Sequence, residues 1–228
     1  MNGTCVNHLI YADDTVIMAP SPAGLQTLLD LCSTYGVQHD IIYNAKKTRC
    51  MCFRSNRYKD IYVPEIRLNG QTITNVECHK YLGVLINDQL KDDIDIGRET
   101  RAIYARGNSL IRKFRACTTD VKVKLFKTFC CNFYSSSLWC HFTKVSMQKL
   151  NVAFKRIFRN LLQVRGESVT RVMLNNNCDP FCVILRKLVY SFRQRLLNSY
   201  NSILSAITDS VFYLESPLTQ RWHKMLFS

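Results

Sequence analysis

Two adjacent carboxylates, Asp13 and Asp14, are the residues near the start of the chain whose type and spacing could do chemistry. Neighbouring carboxylates repel each other, so an apolar core would not hold them unpaired. One interpretation is structural, because a turn between strands holds aspartates in water at little cost. The other is metal binding, since carboxylate oxygens are ligands that Mg²⁺ prefers. Two such ions about 3.5–4 Å apart stabilise the attacking and leaving oxygens of phosphoryl transfer.

The pair lies between two short runs rich in Ile, Val and Tyr, within HLIYADDTVIM at residues 8–18. Such runs favour strands, so we predict a β-hairpin that carries the pair at its turn. Ser21 and Pro22 then form a typical helix start, and Gly36 is expected to end the helix. Between them, apolar residues recur with helical spacing at Leu25, Leu28, Leu29 and Cys32.

Further extended segments follow this helix. Residues 41–53 are interpreted as a loop that enters a strand, Asn69-Gly70 is a strong hairpin signal, and residues 80–86 are predicted to form one strand. After about residue 92, three apolar stripes predict three long helices of a bundle. The stripes are Val121, Leu125, Phe129 and Phe133; then Leu150, Phe154, Ile157 and Leu161 after a Ser146 N-cap; then Leu185, Leu188, Val189, Phe192 and Leu196. The predicted fold class is therefore α+β, with a small sheet and helix followed by a basic helical part.

Charge is distributed unevenly along the 228 residues. Residues 1–97 hold 9 Lys/Arg and 11 Asp/Glu, whereas residues 98–228 hold 22 Lys/Arg and 6 Asp/Glu, and the whole chain has a formal net charge of +14. A basic balance of this size is typical of proteins that bind a polyanion, with solvated basic helix faces as the alternative. Lys149, Arg156 and Arg159 share the polar face of the second predicted helix, so they are candidate nucleic-acid contacts.

Composition excludes several classes of protein. With 47% hydrophobic and 21% charged residues, the chain is expected to be globular rather than disordered. No apolar run reaches the roughly 18–20 residues of a membrane span, and no signal peptide is evident. We therefore expect an intracellular protein that is not secreted, with the nucleus and the cytoplasm both open. The eleven cysteines have irregular spacing, which favours buried, reduced thiols over zinc binding.

A series of motifs, taken in chain order, resembles one family of polymerases. YADD, residues 11–14, resembles the metal-binding motif of reverse transcriptases, and residues 11–36 resemble the hairpin and next helix of the non-LTR (LINE-type) retrotransposon enzymes. NAKKT at 44–48 resembles their next motif, and YLGV at 81–84 resembles their primer-grip strand. LFKTFCCNFYSSSLW at 125–139 resembles their thumb, and LESPLTQRWHKMLFS at 214–228 their C-terminal region. YADD alone is moderately specific, whereas the ordered series is strongly so.

The resemblance implies roles for the matched residues. Asp13 would bind metal directly and Asp14 would be a ligand or near-ligand, with Mg²⁺ or alternatively Mn²⁺ as the cofactor of the complete enzyme. Tyr11 would support the hairpin near the incoming nucleotide. Lys47 would protonate the leaving pyrophosphate as a general acid, with a solvated loop lysine as the alternative.

The resemblance also implies a polymerase whose parts are not all in this chain. Leu82 and Gly83 would position the primer end, and the implied partners are an RNA template and a DNA primer, with no membrane and an open oligomeric state. The family's palm also needs an Asp from an earlier strand, whereas only twelve residues, none acidic, precede Asp13. We expect a partial palm at 1–97, a helical thumb at 98–165 and a helical connector at 166–228.

RNA-directed DNA synthesis would be the ancestral activity of such a chain, and we expect the chain to be inactive alone. Two alternatives stay open at this point. The first is a non-catalytic basic module that binds nucleic acid, and the second is a non-functional relic that has kept the motifs and the charge.

Overall fold

The computed structural model describes residues 6–53 and 62–227, which fall into two compact units. Unit 1 is Met1–Lys80 with Asn87–Leu90, and unit 2 is Tyr81–Ile86 with Lys91–Ser228. Short strand pairs and one helix form unit 1, whereas helices dominate unit 2. The predicted α+β class is confirmed. The functional division into palm, thumb and connector at residues 97 and 165 stays a prediction.

Unit 1 is built from short strands and a single long helix in its described part. Two strand pairs are antiparallel, β1 with β2 and β4 with β5, and β3 pairs with β6 in parallel. The elements are β1 (His8–Tyr11), β2 (Asp14–Ile17), α1 (Pro22–Gln38), β3 (Arg49–Cys50), β4 (Arg67–Leu68), β5 (Gln71–Thr72) and β6 (Thr74–Asn75). The chain then forms β7 (Cys78–Tyr81) and β8 (Val84–Asn87), which pair with each other.

Two predictions about turns and helix ends in unit 1 have different outcomes. The Asn69-Gly70 hairpin is confirmed, because both residues have the positive φ that a tight turn requires, +51° and +74°. Helix α1 starts at Pro22 with Ser21 as its N-cap, as predicted, but it continues through Gly36 to Gln38. A Cβ at Gly36 would lie 2.6 Å from the backbone oxygen of Ile41, so this glycine serves close packing and does not end the helix.

The strand predictions were too long. The strand expected within residues 41–53 is reduced to Arg49–Cys50. Residues 80–86 do not form one strand, because Leu82 and Gly83 both have positive φ, +44° and +85°, and reverse the chain between β7 and β8. Two successive residues with positive φ form a hairpin turn. Gly83, within the apolar run at residues 81–86, was therefore the sequence signal of a turn.

The core of unit 1 is small. Its buried side chains are Leu29, Ala45, Ile66, Leu68 and Ile73, with Ile17, Leu25, Tyr43 and Cys50 packed against them. Ile17 joins the hairpin β1–β2 to this core, whereas all four residues of β1 are exposed. A two-stranded hairpin is marginally stable by itself, so the contact at Ile17 is important for the placement of the whole hairpin.

Unit 2 is a helical bundle around a large aromatic core. Its helices are α2 (Asp93–Lys113), α3 (Thr119–Cys130), α4 (Lys144–Leu162), α5 (Val169–Asn175), α6 (Phe181–Leu197), α7 (Ser202–Thr208), α8 (Val211–Leu214) and α9 (Pro217–Phe227). The rings of Phe126, Phe133, Phe154, Phe158 and Phe181 contact one another with centroids 5.0–5.7 Å apart. The longest helices, α2 and α4, pack against each other along this core.

The apolar stripes predicted for these helices were partly right. Leu150, Phe154, Ile157 and Leu161 are all buried, as predicted, although α4 begins at Lys144 with Thr143 rather than Ser146 as its N-cap. In α6, Leu185 and Val189 are buried and Leu188 and Phe192 half-buried. The stripe on α3 was right at Leu125, which packs against the core, and at Phe133, which is buried beyond the end of the helix, but it was wrong at its other two positions. Val121 and Phe129 are exposed, and Val123, Phe126 and Cys130 face the core instead.

The C-terminal helix α9 forms hydrogen bonds with the loop between α3 and α4. Arg221 donates to the backbone oxygens of Ser136 and Trp139, and Trp222 donates its indole N–H to the Ser137 oxygen at 2.7 Å. The guanidinium of Arg221 also lies 5.1 Å from the centre of the Phe142 ring, and burial lowers its pKa. The segment that ends the chain is therefore part of the fold of unit 2.

The ten cysteines in the described ranges are free thiols. Cys130 and Cys178 are buried, Cys78 and Cys182 are exposed, and the others are half-buried, so the prediction that most are buried was wrong. Cys5 lies outside the described residues. Among the helices of residues 6–53 and 62–227, none is long and apolar enough to cross a membrane.

Candidate functional site

The Asp pair lies at the tip of a hairpin, as predicted. Tyr11 and Asp14 are the last cross-strand pair of β1 and β2, so the loop consists of only two residues, Ala12 and Asp13. Tyr11, Asp13 and Asp14 are all exposed, with Tyr11 at 66%. Ala12 has a φ of +53°, a left-handed conformation that costs an L-residue roughly 1–2 kcal/mol. The tight turn therefore holds both carboxylates in solvent at one point.

The two carboxylates at this tip are the kind of ligand that a hard divalent cation prefers. Two exposed carboxylates offer oxygen ligands, which Mg²⁺ prefers. No group of three or more Cys, His, Asp or Glu side chains able to hold a metal occurs within the part of the chain that the structure describes. The pair thus fits part of a metal site, and a two-metal site needs further ligands.

Lys47 lies on a different loop of unit 1. Asn44 organises that loop, because its side-chain and backbone oxygens both accept from the backbone N–H of Lys47, at 3.0 and 3.1 Å. The backbone oxygen of Asn44 also accepts from the backbone N–H and the hydroxyl of Thr48. Ala45 is buried, whereas Lys46 and Lys47 are exposed. The loop backbone is fixed, and the side chain of Lys47 lies in solvent.

The turn at Leu82 and Gly83 belongs to unit 2 and is held by Tyr134. The Tyr134 hydroxyl donates to the Leu82 oxygen at 2.8 Å. A Cβ added at Gly83 would lie 3.1 Å from Cε1 of the Tyr134 ring, so the ring packs directly on the glycine. Leucine rarely has positive φ, and these contacts hold Leu82 in that conformation. The turn predicted to position the primer is thus anchored within unit 2, while its role stays a prediction.

Asp95 supports the same turn from the first turn of α2, and the sequence interpretation missed it. Its carboxylate, 1% exposed, accepts from the Leu85 backbone N–H at 3.0 Å, from Arg98 Nε at 2.6 Å, from the Ser135 hydroxyl at 2.7 Å and from the Trp139 indole at 2.8 Å. Burial alone raises the pKa of Asp95, but these hydrogen bonds outweigh it and leave the pKa below its ordinary value. The only sequence signal was an acidic first helical turn, which is common at helix starts.

The three basic residues predicted to share a face of α4 are exposed together. Lys149, Arg156 and Arg159 lie on the side of α4 opposite its buried stripe. Val145 and Val152 lie on the same face, at helical spacing, and are 60% and 54% exposed. Nucleic-acid binding at this face stays a prediction.

The predicted site residues therefore form separate groups. Tyr11, Asp13 and Asp14 lie together at the hairpin tip, and Lys47 lies on the Asn44 loop of the same unit. The Leu82 turn and the basic face of α4 both belong to unit 2.

Comparison with known proteins gives curated relatives from mobile elements. The chain is 26% identical over 162 residues to the RNA-directed DNA polymerase from mobile element jockey of Drosophila melanogaster, and 24% identical over 162 residues to that of Drosophila funebris. Each alignment covers 66% of this chain and 17% of the relative. No family model and no solved structure matches the chain. The curated homologues of this chain are thus LINE-type RNA-directed DNA polymerases, and the resemblance to non-LTR reverse transcriptases inferred from its motifs is confirmed.

Proposed function

We propose that this chain is the part of a non-LTR reverse transcriptase that carries the YADD hairpin, the thumb and the connector. In the complete polymerase it takes part in RNA-directed DNA synthesis on an RNA template and a DNA primer. The observation that carries the proposal is the two-residue turn that exposes Asp13 and Asp14 at one hairpin tip. The likeness to the jockey polymerases supports it, over 17% of their length.

Asp13 binds the catalytic Mg²⁺ directly in this proposal, and Asp14 lies beside it as a ligand or near-ligand. When bound, the ion supplies electrostatic stabilisation of the reacting phosphate oxygens. The remaining ligands come from other parts of the polymerase. The exposed strand β1 supports this, because Ile10 and Tyr11 are each 66% exposed on a strand whose outer edge has no partner among the described residues. An apolar strand with a free edge is suited to pairing with another strand.

The other predicted residues have subordinate roles. Lys47 acts as the general acid for the leaving pyrophosphate, and the hydrogen bonds from its backbone N–H to Asn44 fix the backbone from which its side chain extends. Tyr11 supports the tip of the hairpin near the incoming nucleotide. Leu82 and Gly83 position the primer end through the backbone of their turn, which Tyr134 holds.

The proposal is tested by fusing the upstream portion of a jockey polymerase before Met1 and measuring template-directed extension with Mg²⁺ or Mn²⁺. The fusion should extend a primer, whereas this chain alone should not. Asp13→Asn should reduce the fusion's rate by about 10³-fold, because loss of a metal ligand removes several kcal/mol of transition-state stabilisation. Asp14→Asn should reduce it less. Asp30→Asn, an exposed carboxylate on α1, is the matched control and should have no effect.

Lys47→Ala should slow the fusion by about 10²–10⁴-fold, the range typical of general acid loss. Lys46→Ala is its matched control, because Lys46 is also exposed and directly adjacent. If the fusion folds and binds primer-template but extends it equally well with Asn at position 13, the pair is only a turn between two strands. If the Lys46 and Lys47 variants behave alike, the general-acid role is wrong.

A further inference from the structure

The solvent face of α6 is a surface of unit 2 that takes no part in the proposed polymerase site. This helix buries Phe181, Ile184, Leu185 and Val189 on one side. Tyr190 lies on the opposite side, 56% exposed. An aromatic ring exposed on a solvent face offers apolar surface to a partner.

Cationic and amide side chains surround this tyrosine. The helical neighbours of Tyr190 at three and four positions are Arg186, Lys187, Arg193 and Gln194, and none of these is acidic. Arg186 and Lys187 are exposed and Arg193 is half-buried. Lys187 pairs with Asp179 at 2.5 Å, whereas no ion pair of Arg186 or Arg193 occurs within the described ranges.

We propose that this face of α6 binds single-stranded nucleic acid, with a base stacked on Tyr190 and flanking phosphates on Arg186 and Arg193. The inference rests on the proposed function only in taking nucleic acid as the partner, and it does not depend on the Asp pair. A positive groove or face tracks the backbone of a single strand, while aromatic rings stack on its bases. Bases within a duplex have no free face, so the tyrosine selects unpaired strands. The excess of 22 Lys/Arg over 6 Asp/Glu in residues 98–228 gives the charge complementarity.

The first test measures binding of the full chain to fluorescently labelled oligothymidylate and to a duplex of the same length. Tyr190→Ala should weaken oligothymidylate binding by at least about fivefold, the lower end of the loss typical for one stacked base, and change duplex binding by less than about twofold. Tyr190→Phe should bind as well as the native chain, because the ring is kept. Tyr35→Ala is the matched control, since Tyr35 is 51% exposed on α1 and has no Lys or Arg at three or four positions.

The second test separates phosphate contacts from stacking. Replacing Arg186 and Arg193 by Gln should reduce the salt slope of oligothymidylate binding by about 1.4, roughly 0.7 for each phosphate, whereas Tyr190→Ala should leave that slope unchanged. An oligonucleotide that carries 5-iodouracil should photo-crosslink to the Tyr190 peptide. Fluorescence of the buried Trp139 and Trp222 verifies that each variant is folded.

Three results would overturn the inference in different ways. Equal oligothymidylate binding by the native chain and Tyr190→Ala removes the stacking site, while the proposed polymerase function is unaffected. Displacement by polyglutamate as effective as displacement by oligothymidylate shows a general polyanion surface without base stacking. A native chain that binds the duplex but no single strand removes this site, while the contacts proposed for α4 are unaffected.

Discussion

A single buried carboxylate, that of Asp95, connects three separate segments of unit 2. Its oxygens accept hydrogen bonds from Leu85 in β8, Arg98 in α2, and Ser135 and Trp139 in the loop before α4. Removing one partner from a buried charged network leaves the others unsatisfied, which typically costs about 3–5 kcal/mol. The placement of the Leu82 turn therefore depends on a residue more than ten positions further along the chain.

We predict that Asp95→Asn lowers the free energy of unfolding of unit 2 by about 3–5 kcal/mol at neutral pH. Because the folded pKa of Asp95 is depressed, its stabilisation is complete above the unfolded pKa of about 3.9 and is lost as the pH falls through the folded pKa. The stabilities of the native chain and the variant should therefore converge as the pH falls below about 4. Burial raises the pKa of Asp92, so the contribution of Asp92 to stability changes with pH in the opposite direction.

Denaturant unfolding followed by the fluorescence of Trp139 and Trp222 measures this effect, because both tryptophans are buried in unit 2. Asp120→Asn is the matched control. Asp120 is exposed in the first turn of α3, so its replacement should cost less than about 1 kcal/mol. The stability difference between the native chain and Asp95→Asn should depend on pH. If it is the same at every pH, the stabilising group is not the ionised carboxylate of Asp95.

Among the elements, the hairpin β7–β8 depends on the fit between its turn and Tyr134. We predict that Gly83→Ala destabilises unit 2 more than Gly166→Ala, by about 0.5–1.5 kcal/mol, the typical value of one hydrogen bond. Both glycines have positive φ, +85° and +72°, so both variants incur the left-handed cost of an L-residue. Of these two, only Gly83 faces a described neighbour within 4 Å, and moving the Tyr134 ring weakens its bond to Leu82.

The same tryptophan-monitored unfolding compares these two variants. Tyr134→Phe keeps the ring and removes the hydroxyl, so it should remove the hydrogen-bond contribution alone. Equal destabilisation by Gly83→Ala and Gly166→Ala would mean that the Tyr134 contact has no energetic importance.

The packing of α2 on α4 depends on a glycine in the middle of a helix. A Cβ at Gly107 would lie 2.2 Å from Cγ2 and 2.7 Å from Cδ1 of Ile157, which is buried. We predict that Gly107→Ala destabilises unit 2 by about 1–3 kcal/mol, although alanine is the better helix former. Gly97→Ala in the same helix should stabilise it by up to about 1 kcal/mol, because the nearest atom is the end of the Arg101 side chain at 3.7 Å.

A double variant tests whether contact with Ile157 is the cause of the destabilisation by Gly107→Ala. Ile157→Ala removes the atoms that the new methyl group would meet, so Gly107→Ala with Ile157→Ala should be less destabilised than the sum of the two single variants. Simple additivity in denaturant unfolding would show that the glycine is needed for another reason.

In the whole molecule, the two units differ in core size and in charge. Unit 1 has a small core and a hairpin whose outer strand is exposed, whereas unit 2 has a large aromatic core. Residues 98–228, all within unit 2, hold 22 of the 31 Lys and Arg residues. Surface cations raise the affinity for a phosphate backbone, and this contribution decreases as salt increases. We therefore expect nucleic-acid binding to depend mainly on unit 2.

We predict that replacing Lys149, Arg156 and Arg159 by Gln weakens duplex binding uniformly across sequences. The salt slope should become shallower by about 2.7, roughly 0.9 for each phosphate that is no longer neutralised. A charge-matched variant of unit 1, with Gln at Lys46, Arg49 and Arg67, should change the slope much less. Titrations at several salt concentrations measure both, and an unchanged slope in the first variant excludes this face of α4 from the binding surface.

The sequence by itself determined features that depend on neighbouring residues. The turn with Asp13 and Asp14, the Asn69-Gly70 hairpin and the buried stripe of α4 were all predictable. Turn chemistry needs only two residues with suitable backbone preferences, and an amphipathic helix repeats its pattern every few positions. The ordered motifs also led to the resemblance to non-LTR reverse transcriptases. None of these inferences requires knowledge of which segments meet in space.

The tertiary structure alone decided which residues are buried and what holds the turns. Phe129 has the spacing of a core residue but is 49% exposed, because α3 turns Phe126 toward the core instead. Gly107 has no distinguishing sequence signal, since its role comes from Ile157 on another helix. Asp95 supports a turn through partners 10, 40 and 44 positions away. Burial and long-range hydrogen bonds depend on which surfaces are brought together, and that choice is made by the packing of the whole chain.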